Sequence, residues 1–592
     1  MTQPLNFTDY SDKKSVAGIV AGTWDSWNSS RSPQLNLWKE VDEYRFATKA
    51  TDLGFDHTTH IPLLHEIDED LGAILYATAF PHDDFLDFKP LGSNLGDIEV
   101  RKKVLGYLKH AHSLTDFTKL GKQTLNDVKV YGNCFAQTIF HKDHESALQT
   151  EKSMLKSTTS SADNYSGFKT YRISPYDITF NPTASSFKAS PKIVRQLMTV
   201  GEFSIFCQKH SDLIDAELKK SILSRRTGTY GSGAHSDHYK NAQYTPDGFG
   251  SIETYYRSGM VELLWFYGAV YDEKSYDVHL DRTIVVVDRD KVLMDYQAPS
   301  RIQKGSWKER PDNLWAQGAL EPIVGINYMV NHRENAKNDA IDRMINPDEL
   351  YIGNPEIIHD DETGRREIWA PEGGGAQDIT PDSSTLAFNT EIASHMEIGR
   401  RGARLPQQLA GFRTSGEKTA FEVQNLNDGA FRGFIDKVAQ YEQDFLEKVI
   451  TDQLEVAREN VSSVIEVLDT DEEGINTFLQ ITPKDLKANG KLVPYGSRRF
   501  SRQLQQIAAL DKATQLQPVI GSHISAFALA KAFEELSGLG QFNIVSKNAA
   551  IDEQLEQQQS AMLAEQQMAG MASEPTMQEL ALQDGEEEMP LG

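Results

Sequence analysis

Three histidines near residue 60 form the densest group of side chains that could bind a metal ion. His57, His60 and His65 follow the spacing H-x-x-H-x-x-x-x-H and have acidic neighbours. Imidazoles at i and i+3 on a helix can share a metal ion, which would suit a metal-dependent hydrolase. A helix through His57 and His60 would run into Pro62, however, and the H-E-x-x-H motif is absent from the sequence. The pattern therefore favours histidines at the surface and near a helix start over a metal site.

The sequence offers no recognisable nucleophile. It lacks the G-x-S-x-G motif, in which a sharp strand-to-helix turn exposes a catalytic serine. Its two cysteines, Cys134 and Cys207, fall in a predicted strand and a predicted helix, so we expect both to be structural. Two cysteines also exclude a disulfide framework and any multi-cysteine zinc or iron–sulfur site.

Phosphate-binding and cation-binding loops are weakly suggested at three places. The triple glycine 373–375 lacks the spacing of a phosphate-binding loop and predicts a flexible hairpin tip. The run SGEKT at 415–419 ends like such a loop, but Glu417 separates Gly416 from Lys418. The acidic run HDDET at 359–363 could bind a divalent cation, although a solvated turn is the simpler interpretation.

Composition narrows the class of protein. The chain has 592 residues and a net charge of −26, which disfavours a general nucleic-acid binder because such proteins present a basic face to phosphate. The N-terminal residues MTQPLNFTDYSDKK carry no apolar core, so we expect no secretory signal. The sequence contains no run of about 18 apolar residues, so we expect no membrane span.

The pattern of predicted elements is more informative than any motif. A hairpin is predicted with strands at 284–287 and 292–294, and a helix at 191–210 with Pro191 in its first turn. Two helices are predicted within 97–130, with Ser113 as the N-cap of the second. Further along the chain come a helix at 319–345, a strand-rich and turn-rich stretch, a helix at 390–405, a polar loop, and a long helix with the apolar stripe Phe434, Val438, Tyr441 and Phe445.

This order of elements resembles the portal protein, or head-to-tail connector, of tailed bacteriophages, especially of the short-tailed podophage type. The closest resemblances are LPQQLAGFRTSGEKTAFEVQNL at 405–426 and ALEPIVGINYMVNHRENAKNDA at 319–340. The runs VELLWFYGAVYD and ITPKDLKANGKLVPYGSRRF are also similar to that family, and the resemblance covers about Ser251 to Ile507.

The resemblance implies an α+β portal fold. Its parts would be a mixed wing domain, a two-helix stem, a β-rich clip, a tunnel loop followed by a long helix, and a helical C-terminal crown. Carried over by position, these parts are the wing at 1–318, stem helix 1 at 319–345, the clip at 346–388, stem helix 2 at 389–405, the tunnel loop at 406–418, the long wing helix at 419–460, the wing return strands at 461–507, and the crown with a flexible acidic tail at 508–592.

The resemblance also implies a role. Portal proteins form a ring, usually dodecameric, at one vertex of the capsid in the virion, after assembly in the host cytoplasm. Double-stranded DNA passes through the channel without sequence-specific contact. The partners implied are the major capsid protein, the terminase during packaging and a tail adaptor in the mature virion. No enzyme activity, catalytic residue, cofactor, metal or membrane contact is implied.

Two sets of residues are candidates for that role. Basic and small residues of the second stem helix and the tunnel loop would face DNA, while the clip hairpin would dock the motor and the adaptor. The channel set is Arg400, Arg401, Arg404, Arg413, Thr414, Ser415, Gly416 and Lys418, and the clip set is Trp369, Gly373, Gly374 and Gly375. Alternatively, each arginine or lysine of the channel set pairs with a carboxylate such as Glu397 or Glu417.

Two physical features are compatible with a ring. The helix at 328–344 has a mixed surface that would bury poorly in a monomer and better between neighbouring copies. Multiplied over a ring, the negative charge would repel DNA from the channel wall. The alternatives are another virion component, such as a tail or capsid-completion protein, and the metal-dependent hydrolase built on the three histidines.

Overall fold

The structure is a computed structural model, and part of the chain is described by it. The chain divides into two compact units, Met1–Val467 with Phe478–Arg498, and Leu468–Thr477 with Arg499–Gly592. The predicted crown at 508–592 and the tunnel loop at 406–418 lie outside the described residues. The described residues are 3–47, 49, 54–80, 85–90, 96–142, 166–224, 240, 260–345, 348–352, 359–360, 365–370, 375–379, 387–403, 433–461, 464–470, 476–487 and 490–494.

The described chain mixes helices and strands, which agrees with the predicted α+β class. The helices are α1 (Lys13–Ser30), α2 (Ser32–Phe46), α3 (Leu63–Ala79), α4 (Gly96–Leu114), α5 (Phe117–Tyr131), α6 (Val200–Lys209), α7 (Ala216–Ser224), α8 (Val324–Ile345), α9 (Phe388–Gly402), α10 (433–460) and α11 (Pro483–Leu486). Among these residues, every helix is too short or too polar to cross a lipid bilayer.

The strands fall into several sheets. They are β1 (Pro4–Phe7), β2 (Leu86–Pro90), β3 (Asn133–Lys142), β4 (Ser166–Ile173), β5 (Ile178–Phe180), β6 (Lys192–Thr199), β7 (Met260–Asp272), β8 (Val278–Val287), β9 (Lys291–Gln297), β10 (Ile302–Ser306), β11 (Lys308–Arg310), β12 (Asn313–Gln317), β13 (Asp348–Ile352), β14 (His359–Asp360), β15 (Arg365–Ala370), β16 (Gly375–Ile379), β17 (Ile465–Thr470), β18 (Asn476–Ile481) and β19 (Gly490–Pro494).

The largest sheet has the order β5-β6-β7-β8-β9, and β1 pairs in parallel with the end of β7. Alternate residues of its strands enter two different cores, as the period of a strand requires. Leu264, Phe266 and Val286 pack under α1, whereas Leu263 and Val287 pack under α6 and α7. The predicted hairpin of β8 and β9, with its charged turn at Asp288–Asp290, is confirmed.

A second sheet, β10-β3-β4, belongs to the largest apolar core together with α2–α5 and α10. The predicted stripe on α10 is confirmed, because Phe434, Val438, Tyr441 and Phe445 are all buried. Within that helix, Glu442–Leu446 form a π-helical turn that periodicity did not predict. Gly132 makes the turn from α5 into β3 with a φ of 74°, and a Cβ there would lie 2.5 Å from the carbonyl carbon of Gln317.

The helix predicted at 191–210 is wrong for its first half. Residues Lys192–Thr199 form β6, which pairs with β5 and β7 inside the largest sheet. The helix α6 begins only after Thr199, whose side chain accepts from the Glu202 amide while the Glu202 carboxylate accepts from the Thr199 amide. This capping box marks the helix start, and sequence reasoning placed the start at Pro191 instead.

Two smaller corrections concern the N-terminal third of the chain. Ser113 does not cap the second helix of the 97–130 pair, because its hydroxyl donates to the His110 carbonyl within α4. Asp116, in a left-handed conformation, precedes α5 instead. The helix α1 was not predicted, although Val16, Val20 and Trp24 of α1 are buried on one face.

Candidate functional site

The helices α8 and α9 form an antiparallel pair. Toward the start of α9, Arg333 of α8 contacts the Glu391 carboxylate at 3.1 Å and the His395 ring at 2.9 Å. Lys337 of α8 contacts Asn389 at 3.1 Å. Toward the end of α9, next to the start of α8, a Cβ added to Gly399 would lie 3.7 Å from Ile326 of α8 and 3.1 Å from Leu63 of α3. Glycine at 399 therefore lets α9 approach both α8 and the start of α3 closely.

The pair is anchored in the body of the protein at one end. Leu320 and Ile323, just before α8, belong to the largest core with Val324 at its start and Ala403 just after α9; Ile392, near the start of α9, also belongs to that core. At the other end, the chain between the two helices contains a four-stranded sheet of order β14-β15-β13-β16. Strands were predicted for this clip segment, 346–388, and they are present at its described positions.

Two members of the predicted clip hairpin are described. Trp369 lies in β15 opposite Tyr351 of β13, and Gly375 is the first residue of β16, opposite Ile352 of β13. The strand β13 is central, since it pairs in parallel with β15 and antiparallel with β16. Gly373 and Gly374 lie outside the described residues.

A row of amide side chains on α8 holds an extended segment, residues 54–61, which we call the strap. Asn327, Asn331 and Asn335 recur every fourth residue and are almost completely buried. Their Oδ1 atoms accept from the backbone amides of Leu64 at 3.1 Å, Ile61 at 2.9 Å and Thr59 at 2.7 Å. Asp339, one turn further, accepts from the amides of Asp56 and His57, each at 3.1 Å. We call these four residues the amide ladder.

The amide ladder changes the interpretation of the mixed surface on this helix. The sequence argument assigned the polar–apolar mixture at 328–344 to contacts between copies, but its buried polar stripe faces the strap of the same chain. The part that faces solvent is a different one and includes Tyr328 and Met329, which are 43% and 38% exposed. Ile398 of α9 is 49% exposed, so each helix of the pair presents apolar surface to solvent.

The three histidines near residue 60 do not share a site, because each has different neighbours. The His57 Nε2 lies 2.6 Å from the Asp342 carboxylate, and the His60 Nδ1 lies 2.9 Å from the Asn331 amide nitrogen. His65 is exposed on α3, which begins only at Leu63, after Pro62. Within the described part of the chain, no cluster of three His, Cys, Asp or Glu residues could hold a metal ion.

The described members of the channel set both form ion pairs. Arg400 makes a bidentate contact with Glu66 of α3, at 2.7 and 3.0 Å, and links α9 to the body. Arg401 pairs with Glu397 one turn away, as the carboxylate alternative expected, and its side chain is 73% exposed. Arg404, Arg413, Thr414, Ser415, Gly416 and Lys418 lie outside the described residues.

A buried network of ion pairs links α2, α3, α5 and β4. Arg45 of α2 contacts Asp42 at 3.0 Å and Asp68 of α3 at 2.8 Å, and Lys129 of α5 contacts Asp68 at 3.0 Å. Arg172 of β4 forms a two-bond contact with Asp127 of α5. Three cations thus balance three carboxylates, the condition under which buried charge is tolerated.

Burial shapes the protonation of this network. Burial raises the pKa of Asp127 to about 6, although Arg172 opposes that shift. Burial likewise lowers the pKa of Lys129, against the attraction of Asp68. Apart from the Asp42–Arg45 pair at i, i+3, the network joins residues far apart in the sequence, so local spacing did not indicate the rest.

The cysteine expectation agrees with the structure, since Cys134 and Cys207 are both buried. Burial raises the pKa of each thiol, which disfavours the reactive thiolate.

No protein-family model matches the chain, and no curated protein sequence matches it.

Proposed function

We propose that this chain is the portal protein of a tailed bacteriophage of the podophage type. Copies of the chain would assemble into a dodecameric ring at one capsid vertex and form the channel for genome packaging and ejection. The observation that carries the proposal is the antiparallel pair of α8 and α9. Its near end is anchored in a mixed α/β body, and a separate four-stranded sheet is inserted at its far end. This is the order of body, stem and clip that the sequence resemblance implies.

The stem helices supply a plausible surface for ring formation. Tyr328 and Met329 of α8 and Ile398 of α9 expose apolar side chains, while the polar stripe of α8 is already satisfied by the strap. Apolar groups left in water are stabilised by burial against a neighbouring copy. Rings of this kind need large interfaces, typically above about 2,000 Å² in total, so the wing would contribute as well.

Channel electrostatics would let DNA move rather than bind. The net charge of −26 per copy is repeated around the ring and repels the phosphate backbone. The exposed Arg401 and the cations of the tunnel loop would make weak phosphate contacts that carry no sequence information. Arg400 is better suited to hold α9 on Glu66, because its side chain is only 16% exposed.

The clip and the wing would bind the other components of the virion. In this proposal the clip sheet, with Trp369 and the glycines 373–375, docks the terminase during packaging and the tail adaptor afterwards. The body contacts the major capsid protein. The energy for DNA movement comes from the terminase, so no catalytic residue, metal or cofactor is assigned to this chain.

Localisation in the virion tests this function against a role elsewhere in the particle. Virions labelled with gold-conjugated antibodies against this chain, after mild opening of the capsid, should carry label at a single vertex. A virion protein of another kind would label the tail or many capsid sites. Label along the tail, on many vertices, or nowhere on the particle would contradict the proposal. Antibodies against the major capsid protein provide the control for even access.

A further inference from the structure

The hydrogen bonds of Asn331 fix which ring nitrogen of His60 carries the proton. Asn331 accepts from the Ile61 amide through Oδ1, at 2.9 Å. Its amide nitrogen must then be the atom that lies 2.9 Å from the His60 Nδ1. Since an amide NH₂ can only donate, the His60 Nδ1 must be an unprotonated acceptor. The contact thus requires neutral His60 with its proton on Nε2.

We propose that the strap is an acid-released latch on α8, opened by protonation of His60. A proton on Nδ1 would point directly at the Asn331 NH₂ group, so that two donors face each other. Turning the Asn331 amide over would satisfy His60 but would place NH₂ against the Ile61 amide. Either way, one bond between strap and helix is lost, and the latch opens around Thr59–Ile61.

The surroundings of His60 favour its neutral form. The His60 ring lies against Tyr44 of α2, with the ring centroids 6.3 Å apart, and against Asn331 of α8. The charged or titratable groups near Tyr44 are Glu40 and Glu43 of α2 and Tyr328 of α8. Burial lowers the pKa of His60 against a backbone hydrogen bond at Tyr44, so release is expected only when the pH falls below the usual range of a histidine.

The other end of the strap is held by carboxylates. His57 Nε2 lies 2.6 Å from Asp342, and the backbone amides of Asp56 and His57 donate to Asp339. These two backbone hydrogen bonds do not require an unprotonated imidazole nitrogen as acceptor. Acid should therefore free the strap at Thr59–Ile61 while the His57 end stays attached. The latch lies within one chain, so it does not depend on whether the chain forms a ring.

Site-resolved hydrogen exchange of the full chain at pH 7.5 and pH 5.0 tests the latch, with rates corrected for the intrinsic effect of pH. We expect the protection of the Ile61 amide to fall at least tenfold at pH 5.0, while the His57 amide keeps its protection. Amides of the β7–β8 ladder report that the fold is intact. Unchanged protection of Ile61, or equal loss at both ends of the strap, would overturn the proposal.

Two variants separate the latch from general acid sensitivity. His60→Asn offers Asn331 an acceptor that does not titrate, so Ile61 protection should no longer depend on pH. Asn331→Asp keeps an acceptor for the Ile61 amide and places a carboxylate oxygen opposite His60. Its pH response should therefore reverse, with Ile61 better protected at pH 5.0 than at pH 7.5. Acid loss of protection in Asn331→Asp that matches the unaltered protein would show that this contact is not the switch.

Discussion

At the scale of single residues, His112 is a buried imidazole that contributes to stability only while neutral. Its Nε2 lies 2.8 Å from the Gln453 side-chain oxygen, and its ring stacks on Phe117 with centroids 4.0 Å apart. Gln453 in turn donates to the Thr170 hydroxyl, which fixes its oxygen toward His112. Burial lowers the pKa of His112 to about 4, against the opposing hydrogen bond that His112 donates to the Gln453 oxygen.

We predict an acid-labile contribution from His112. Because its folded pKa lies below the unfolded value of about 6.5, the unfolded chain binds more protons between these values. The stabilisation is complete above about pH 6.5 and is lost as the pH falls toward 4, up to roughly 3 kcal/mol. Chemical denaturation at several pH values measures it. His112→Gln should show a shallower loss across this window, and parallel pH curves for the two proteins would contradict the assignment.

Replacing Asp68, the central carboxylate of the buried ionic network, tests how much that network contributes to stability. Asp68 contacts both Arg45 and Lys129, and its side chain is about 4% exposed. Asp68→Ala should cost about 3–5 kcal/mol in the free energy of unfolding, because it leaves the buried Lys129 without its contacting carboxylate and Arg45 with Asp42 alone. The matched control is Glu397→Ala, which removes the exposed partner of Arg401 and should cost under about 1 kcal/mol. Similar losses in the two variants would refute a structural role for the network.

At the scale of elements, the amide ladder is one of the contacts that fix α8 on the body, together with the apolar residues at its start. Asn335 exchanges two hydrogen bonds with Thr59, accepting from its amide at 2.7 Å and donating to its carbonyl at 2.9 Å. Asn335→Ala removes both partners, and because Thr59 is exposed and water can replace them, each lost hydrogen bond should cost about 0.5–1.5 kcal/mol.

This variant should therefore destabilise the protein by at least about 1 kcal/mol and speed cleavage within the strap. Limited proteolysis with peptide mapping measures the second effect. Asn338→Ala is the control on the same helix, because Asn338 reaches only the Thr59 hydroxyl, at 3.5 Å. The ladder would lose its assigned role if the strap were cleaved equally fast in both variants.

Sequence reasoning succeeded where one element carries its own pattern. The stripe Phe434–Phe445 and the β8–β9 hairpin follow from periodicity and turn residues alone. It failed for β6, since Lys192–Thr199 becomes a strand through pairing with β5 and β7, which local sequence does not display.

The candidate site was predictable only in part. The order of helix, strands and helix was visible in the sequence, and so was the Arg401–Glu397 pair at i, i+4 spacing. The amide ladder was missed, although Asn or Asp at 327, 331, 335 and 339 is a signal that one helix face binds polar groups. Its partner, the strap, could not be inferred, because the two segments lie about 270 residues apart in the chain.

At the scale of the whole molecule, the described chain contains a mixed α/β body, an anchored helix pair and an inserted sheet. The apolar surface of Tyr328, Met329 and Ile398 is left in water in the single chain. Under the proposed function, this surface packs against neighbouring copies in a ring, and the charge of −26 repels DNA from the channel wall.

Electron microscopy of the purified full-length protein in negative stain tests that claim most directly. The account predicts top views of closed rings with a central hole, with twelvefold symmetry after averaging. The salt and protein concentrations should be varied, because an interface with charged groups weakens at high salt. Compact single copies without a central hole under every condition would contradict the portal assignment.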